Sequence, residues 1–322
     1  MSFPAKSVPR VGVFSSKLHQ AHKPRRRHFA APTSRPATTP APLQNAQNYV
    51  TTLLQKHDYD NYLASLFVPA RSRDAVWAVR AFNVETALIR ESVKDSLLGK
   101  ARIQWWRDAV DDVFAGRPPN HPVTLMLAQA LETAPLSKSW FKRMLTERES
   151  NLQDPQYAKI ADLEKYAENT ASSLLYLQLE ALGIRNHDAE HAAGHVGKAI
   201  GIATLLRATP FHVEERRFYL PSEIMAKHGL STETVFRTGP SQALEEVVFE
   251  VATAANDQLI TARSFMTDMP PAAIPALLPA VPVDLFLQAL EKNNFNLFDA
   301  KLGKKSWKLH YRLWKAARSL TI

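Results

Sequence analysis

Residues 197–221 read GKAIGIATLLRATPFHVEERRFYLP and are the most informative segment of this 322-residue chain. The apolar positions in its first half belong to a helical periodicity that predicts a helix over residues 188–208. Pro210 has no amide proton and its ring clashes with the preceding turn, so we expect it to interrupt the helix one residue before Phe211. The segment ends in Tyr-Leu-Pro at residues 219–221.

The rest of the chain after about residue 42 has the same character. Alternation of the kind found in strands is nearly missing, and apolar residues recur at spacings of three and four. The other predicted helices cover residues 72–94, 98–115, 121–133, 138–149, 162–182, 242–265, 283–290 and 305–320. The sequence therefore predicts an all-α protein with one helical domain over residues 43–322, in which sequential helices pack antiparallel.

Residues 1–42 differ in composition from the rest. They carry eight lysines and arginines, and no acidic residue precedes Asp58. An acid-free segment rich in arginine and serine predicts a mitochondrial transit peptide, because the membrane potential draws a positive segment inward. The alternative is a disordered basic tail, which four prolines between residues 32 and 42 favour.

Charge and composition exclude several classes of function. Without the eight basic residues of the first segment, the formal net charge of +9 falls to about +1, so no nucleic-acid partner is expected. The chain has no cysteine, which excludes a disulfide framework, a thiol nucleophile and zinc sites built from thiolates.

Three segments together resemble the squalene/phytoene synthase family. Residues 67–82, FVPARSRDAVWAVRAF, are similar to the family pattern LLPxxxRxAVxALYAF, and residues 197–221 are similar to GxAxQLTNILRDxxEDxxxGRxYLP. Tyr166, followed by TASS at residues 170–173, resembles YCxxVAGTVG. The positions that match outright include Tyr166, Arg207, Arg217 and Tyr219. The resemblance implies an isoprenoid-synthase-like fold, a single-domain helical bundle.

The resemblance also shows which acids are missing. Synthases of this family hold Mg²⁺ on carboxylates from two facing helices, because hard cations need several oxygen ligands. Here the degenerate first motif comprises Asn83, Glu85, Ala87, Leu88 and Glu91. The degenerate second motif comprises Arg207, Ala208, Phe211 and His212. Only Glu91 keeps an acid where the family has aspartate, so we predict no catalytic residue, no metal and no cofactor.

A transit peptide combined with lost aspartates is similar to one non-catalytic mitochondrial branch of the family, which reads AFNVE as residues 81–85 do. Membership of that branch implies a role in assembling respiratory complex I, on the matrix side of the inner membrane. The implied partners are complex I subunits or other assembly factors, with a lipid as another occupant of the old substrate groove. The alternative is an active Mg²⁺-dependent prenyl transferase with a relocated site on Glu85, Glu91, Asp95 and Glu214.

The last predicted helix has two interpretations. Residues 301–318 carry seven lysines and arginines around one aromatic stripe, formed by Trp307, Tyr311 and Trp314. Such a helix could lie in an anionic leaflet, with Lys304 and Lys308 among the basic contacts. The alternative is an ordinary final helix that packs its aromatic rings on the core.

Two further patterns imitate metal sites. His187, His191 and His195 recur every four residues, and Asp108, Asp111 and Asp112 share one helix face. We predict a surface row for the histidines, which lack a further fixed ligand. The aspartates lie opposite an apolar stripe, so we predict a solvated face for them.

Overall fold

Helices form nearly all of the regular structure. The computed structural model describes residues 41–322 apart from residues 94, 304 and 305, and this part of the chain contains no β-strand. Its α-helices are α1 Ala41–His57, α2 Tyr59–Ser65, α3 Ala70–Ser92, α4 Ser96–Phe114, α5 Pro122–Thr133, α6 Lys138–Ser150, α7 Ile160–Ala167, α8 Ser173–Ala181, α9 His187–Glu214, α10 Ser222–Lys227, α11 Thr232–Thr238, α12 Gln242–Ser264, α13 Ile274–Leu277, α14 Ala280–Lys292 and α15 Lys308–Ser319. The predicted all-α class is confirmed. The predicted transit peptide lies outside the described residues, except for its last two positions, which begin α1.

Two hydrophobic clusters make up the core. One cluster is built on α9 and α12, with α13 and α14 packed beside them. The other is built on α3, with α1, α4, α5 and α6 around it. Because α3 and α9 belong to different clusters, the two helices that carry the degenerate motifs lie on opposite sides of the boundary between them.

The predicted interruption at Pro210 is wrong, since α9 continues through it to Glu214. Pro210 cannot donate to the carbonyl of the preceding turn, but this costs the helix only one hydrogen bond. The helical pattern resumes at once, and the amide of Glu215 donates to the carbonyl of Phe211 at 3.2 Å. Phe211 and His212 therefore lie on an intact last turn of α9.

The predicted continuous helix over residues 162–182 is interrupted in its middle. Glu168–Ser172 form a π-helical turn between α7 and α8. At this turn the backbone runs directly against α9, where the Ser172 hydroxyl donates to the carbonyl of Gly194 at 2.7 Å. A Cβ added at Gly201 would lie 2.9 Å from the Cα of Ala167, so a glycine is needed for this close approach.

Within the described ranges, no one helix has both the length and the apolar composition to cross a membrane. Residues 271–277 and 280–292 meet both criteria only as a pair, and the pair is bent by 52°.

Candidate functional site

Parts of both degenerate motifs meet at one small cavity. Ala87 and Glu91 of α3 and His212 of α9 line this cavity, which has a volume of about 140 Å³. Space of this size holds a few water molecules, at about 30 Å³ each in the liquid. We call it the motif cavity.

Glu91 of the first motif is bound by an arginine that follows α9 in the chain. The two terminal nitrogens of Arg217, Nη1 and Nη2, donate to the carboxylate of Glu91 at 3.1 and 2.7 Å. These hydrogen bonds are the main reason that the pKa of Arg217 is raised, and burial offsets only part of their effect. The charge of Glu91 is thus already neutralised by a fork-shaped partner.

A second ion pair lies beside the first. The Nε of Arg90 donates to Asp154 at 2.8 Å, and its Nη2 contacts the other carboxylate oxygen. The Tyr219 hydroxyl donates to the same carboxylate at 2.5 Å. Burial raises the pKa of Asp154, but the hydrogen bonds from Arg90 and Tyr219 together outweigh burial and hold this pKa below its usual range.

A buried arginine completes the polar wall. The Nη2 of Arg148 donates to Asn83 at 2.6 Å, and its Nη1 contacts the Thr86 hydroxyl. Burial lowers the pKa of Arg148, while the neighbouring Tyr166 acts in the opposite direction. Arg148 therefore links Asn83 of the degenerate first motif with Tyr166, a retained family position.

Two residues that line the motif cavity, His212 and Arg148, each have a buried nitrogen without a hydrogen-bond partner, and for Arg148 this atom is the Nε. For His212 it is the Nδ1, and the ring of His212 meets the Tyr219 ring edge-on at 4.7 Å between centroids. Burial is the largest cause of its lowered pKa, and the charge of Arg217 lowers it further. The ring is therefore neutral at pH 7.

The other motif positions lie elsewhere. Glu85 and Leu88 face a separate cavity of about 400 Å³. Arg207 and Phe211 face a third cavity of about 720 Å³ beside α14. Ala208 is half-buried. The structure thus brings Ala87, Glu91 and His212 together at the motif cavity and links Asn83 to it through Arg148, but it separates Glu85, Leu88, Arg207 and Phe211 from them.

The four acids of the proposed relocated metal site do not converge. Glu85 accepts a hydrogen bond from Tyr49, Asp95 caps the first turn of α4, and Glu214 lines the third cavity. Among the described residues, no group of three or more histidine, aspartate or glutamate side chains could hold a metal ion. The two carboxylates that line the motif cavity, Glu91 and Asp154, are both paired with arginine, so this site does not fit a magnesium diphosphate cluster.

The histidine row of α9 and the aspartates of α4 have protein partners in the structure. His187 and His191 contact each other through their Nε2 atoms at 3.0 Å, whereas His195 turns away to Gln258 at 2.6 Å. In the acidic pattern, Asp111 pairs with Lys142 of α6 at 2.8 Å. Asp112 pairs with the exposed Arg117 at 3.2 Å.

The aromatic stripe of α15 faces outward. Leu309, Leu313 and Ala316 are the side chains that this helix buries. Trp307, Tyr311 and Trp314 are 79%, 59% and 51% exposed, so the interpretation in which these rings pack on the core is wrong. Lys308 is exposed, and Lys304 lies outside the described residues.

The architecture and the position of the motif cavity define an isoprenoid-synthase-like fold. The structure superposes on the crystal structure of a dehydrosqualene synthase in complex with ligand, with a TM-score of 0.75 and 25% identity, covering 86% of this chain and 96% of that one. The predicted fold is therefore confirmed. The sequence profile named squalene/phytoene synthase matches residues 54–315, and the chain belongs to this family.

More similar relatives carry a different kind of name. A Bos taurus protein named NADH dehydrogenase (ubiquinone) complex I, assembly factor 6 is 44% identical over 266 residues, which covers 83% of this chain and 80% of the bovine protein. A Dictyostelium discoideum protein named as a homolog of the same factor is 35% identical, covering 84% of this chain and 78% of that protein.

Proposed function

We propose that this chain is a non-catalytic member of its family that acts in the assembly of respiratory complex I. The names of the bovine and Dictyostelium relatives support this role. The observation that carries the non-catalytic part is the pairing of Glu91 with Arg217 and of Asp154 with Arg90. Because positive side chains already neutralise both acids of the motif cavity, the cavity does not attract the magnesium ions that a diphosphate leaving group requires.

The proposed location is the mitochondrion, on the matrix side of the inner membrane, where complex I subunits or other assembly factors are the partners. The basic, acid-free first 40 residues support import. A lipid inside the motif cavity is not supported, because about 140 Å³ is well below the size of ordinary ligand pockets.

Two measurements test the proposed function. Deleting the gene should lower the NADH dehydrogenase activity of complex I severalfold, while complex IV activity and citrate synthase stay unchanged. The purified protein, incubated with farnesyl or geranylgeranyl diphosphate and Mg²⁺, should release no diphosphate. Unchanged complex I would refute the assembly role, and metal-dependent release of diphosphate would refute the non-catalytic one.

The exposed face of α15 is the element that we propose for contact with the membrane. Tyr311 and Trp314 stack with their centroids 6.1 Å apart. The Nζ of Lys308 lies 6.0 Å from the centre of the Trp307 ring, and the guanidinium of Arg318 lies 5.9 Å from the centre of the Trp314 ring. No acidic residue follows Asp299 in the chain. Amphipathic rings flanked by cations are suited to the headgroup level of an anionic leaflet.

Replacing Trp307, Tyr311 and Trp314 together with serine should lower binding to vesicles that contain phosphatidylglycerol by at least about tenfold, because their rings supply the inserted apolar area. Flotation of protein with vesicles measures this change. As a matched control, Phe249→Ser with Ile260→Ser removes two exposed apolar side chains of α12 and should leave binding unchanged. Equal losses in the two variants would show that α15 has no special part in membrane contact.

A further inference from the structure

The cavity of about 400 Å³ between α3, α4 and the start of α5 has an unusual lining. Three aromatic side chains line it, from Trp105, Trp106 and His121. One acid, Glu85, and one arginine, Arg102, share the same cavity. No step of the proposed function uses this cavity. We call it the aromatic cavity.

The three rings stand nearly perpendicular to one another. Trp105 and Trp106 have centroids 4.9 Å apart at 83°, and each meets His121 edge-on at 5.6 and 5.3 Å. The amide of Val123 donates to the Nδ1 of His121 at 3.3 Å. Burial lowers the pKa of His121 despite the opposing charge of Glu85, so this ring adds no positive charge at pH 7. Neutral rings set at right angles present their faces and edges around a common space, as in sites that hold organic cations.

Glu85 is the acidic side chain that lines the aromatic cavity. The Tyr49 hydroxyl donates to its Oε1 at 2.5 Å, which leaves Oε2 without a hydrogen bond from the described residues. Burial and the neighbouring Glu85 raise the pKa of Tyr49 to about 12, so Tyr49 remains a hydrogen-bond donor at pH 7. A carboxylate beside aromatic rings attracts an ammonium group through both charge and ring quadrupole.

Arg102 gives the cavity a second, opposite charge. Its Nη1 donates to the Ser92 hydroxyl at 2.7 Å, which holds the side chain at the rim. Arg102 forms no ion pair with any other described residue. A lone guanidinium would repel a lysine or arginine of a partner protein, but it is well suited to bind a phosphate.

We propose that the aromatic cavity binds a phosphocholine-type group, an organic ammonium joined to a phosphate. The rings and Glu85 hold the ammonium, and Arg102 holds the phosphate. The same zwitterion occurs as a soluble molecule and as the headgroup of a phospholipid. Leu98 lies one helical turn before Arg102 on the same face of α4 and is 49% exposed, and the adjacent Leu97 is 73% exposed. This apolar area would favour the phospholipid.

Titration calorimetry on the full chain with soluble phosphocholine and with choline tests this site. Phosphocholine should bind about tenfold more tightly than choline, since only phosphocholine reaches Arg102. Trp105→Leu and Glu85→Gln should each weaken both ligands by about tenfold. Arg102→Gln should remove the preference for phosphocholine and leave choline binding unchanged. Because Arg102 lies exposed at the rim, this variant keeps the test decisive even if Glu85→Gln proves unstable.

Matched controls are an exposed arginine and an exposed tryptophan outside the cavity. Arg117→Gln and Trp314→Leu should bind both ligands like the wild-type protein. Flotation with vesicles of phosphatidylcholine, which are uncharged overall and so do not attract α15 by charge, separates the two sources. If the protein floats with these vesicles and Arg102→Gln abolishes the flotation, the ligand of the aromatic cavity is the phospholipid headgroup. If the protein binds soluble phosphocholine but does not float with the vesicles, the ligand is free phosphocholine. Absence of saturable phosphocholine binding, or binding that none of the three substitutions weakens, would overturn the proposal. Neither result bears on the role in complex I.

Discussion

Gly197→Ala should lower the free energy of unfolding by about 3 kcal/mol, the upper end of the usual cost of overpacking. A Cβ at this position would overlap the Cα and the amide nitrogen of Ser172, which belong to backbone and cannot rotate away. In most helices the same substitution is stabilising, because glycine loses more conformational entropy than alanine on folding. The sign of the effect therefore reports the contact of α9 with the π-helical turn. Urea denaturation followed by circular dichroism measures it.

Gly194→Ala is the matched control on the same helix. Its added Cβ would meet only the hydroxyl oxygen of Tyr176, at 2.8 Å, which lies at the free end of a side chain. We expect a change within about 1 kcal/mol of the wild-type value, because the helix propensity of alanine offsets the shift of Tyr176. If both variants unfolded at the same urea concentration, the backbone contact at Gly197 would not limit the packing.

Asp154→Asn should destabilise the protein by about 2 kcal/mol at pH 7. The substitution leaves the guanidinium of Arg90 without its charged partner, which is costly for a partly buried group, although solvent screening reduces the cost below that of a fully buried pair. Chemical denaturation at several pH values checks both the size and the origin of the loss. Asp112→Asn, which removes the partner of the exposed Arg117, should change stability by less than about 0.5 kcal/mol.

The pH dependence of Asp154→Asn follows from the lowered pKa of Asp154 in the folded state. Since the folded pKa lies below the unfolded value of about 3.9, the charged carboxylate contributes its full stability above that pH. Its contribution is lost as the pH falls through the folded pKa. The difference between wild type and Asp154→Asn should therefore be constant from pH 7 to about pH 5 and should shrink below about pH 4. A difference that grew on acidification would contradict the ion pair.

The sequence predicted the fold well because the fold depends on features that are local or shared with a family. Apolar periodicity located α3, α4 and α12 within about two residues at each end, and it located the start of α9 but ended that helix at residue 208 instead of Glu214. The short helices α10 and α11 were not predicted, since six or seven residues offer too few periods to recognise. Pro210 was misjudged because the rule for proline describes an isolated helix, whereas α9 is held by its packing against α12 and the π-helical turn.

The candidate site was harder to predict, for two physical reasons. Neighbours in the motif were treated as one site, although each helical step turns by about 100°, so Ala87 and Glu91 face one cavity and Leu88 another. The ion pairs of the motif cavity also join segments that are far apart in the sequence, such as Arg90 and Asp154, which are 64 residues apart. One signal was present in the sequence, because Arg148 follows Phe141, Met144 and Leu145 at the spacing of a buried face.

The pairing of Glu91 with Arg217 spans 126 residues and joins α3 to the segment that follows α9. Aspartates at positions 87 and 212 alone would not install a magnesium site in the motif cavity. Acids at positions 87 and 212 would line this cavity, where Arg90 and Arg217 already bind carboxylates, and each would gain an arginine rather than a hydrated cation. The arginine pairs thus exclude magnesium twice, by occupying the carboxylates and by attracting any new one, and installing a metal site would require removing cationic side chains before adding acidic ones.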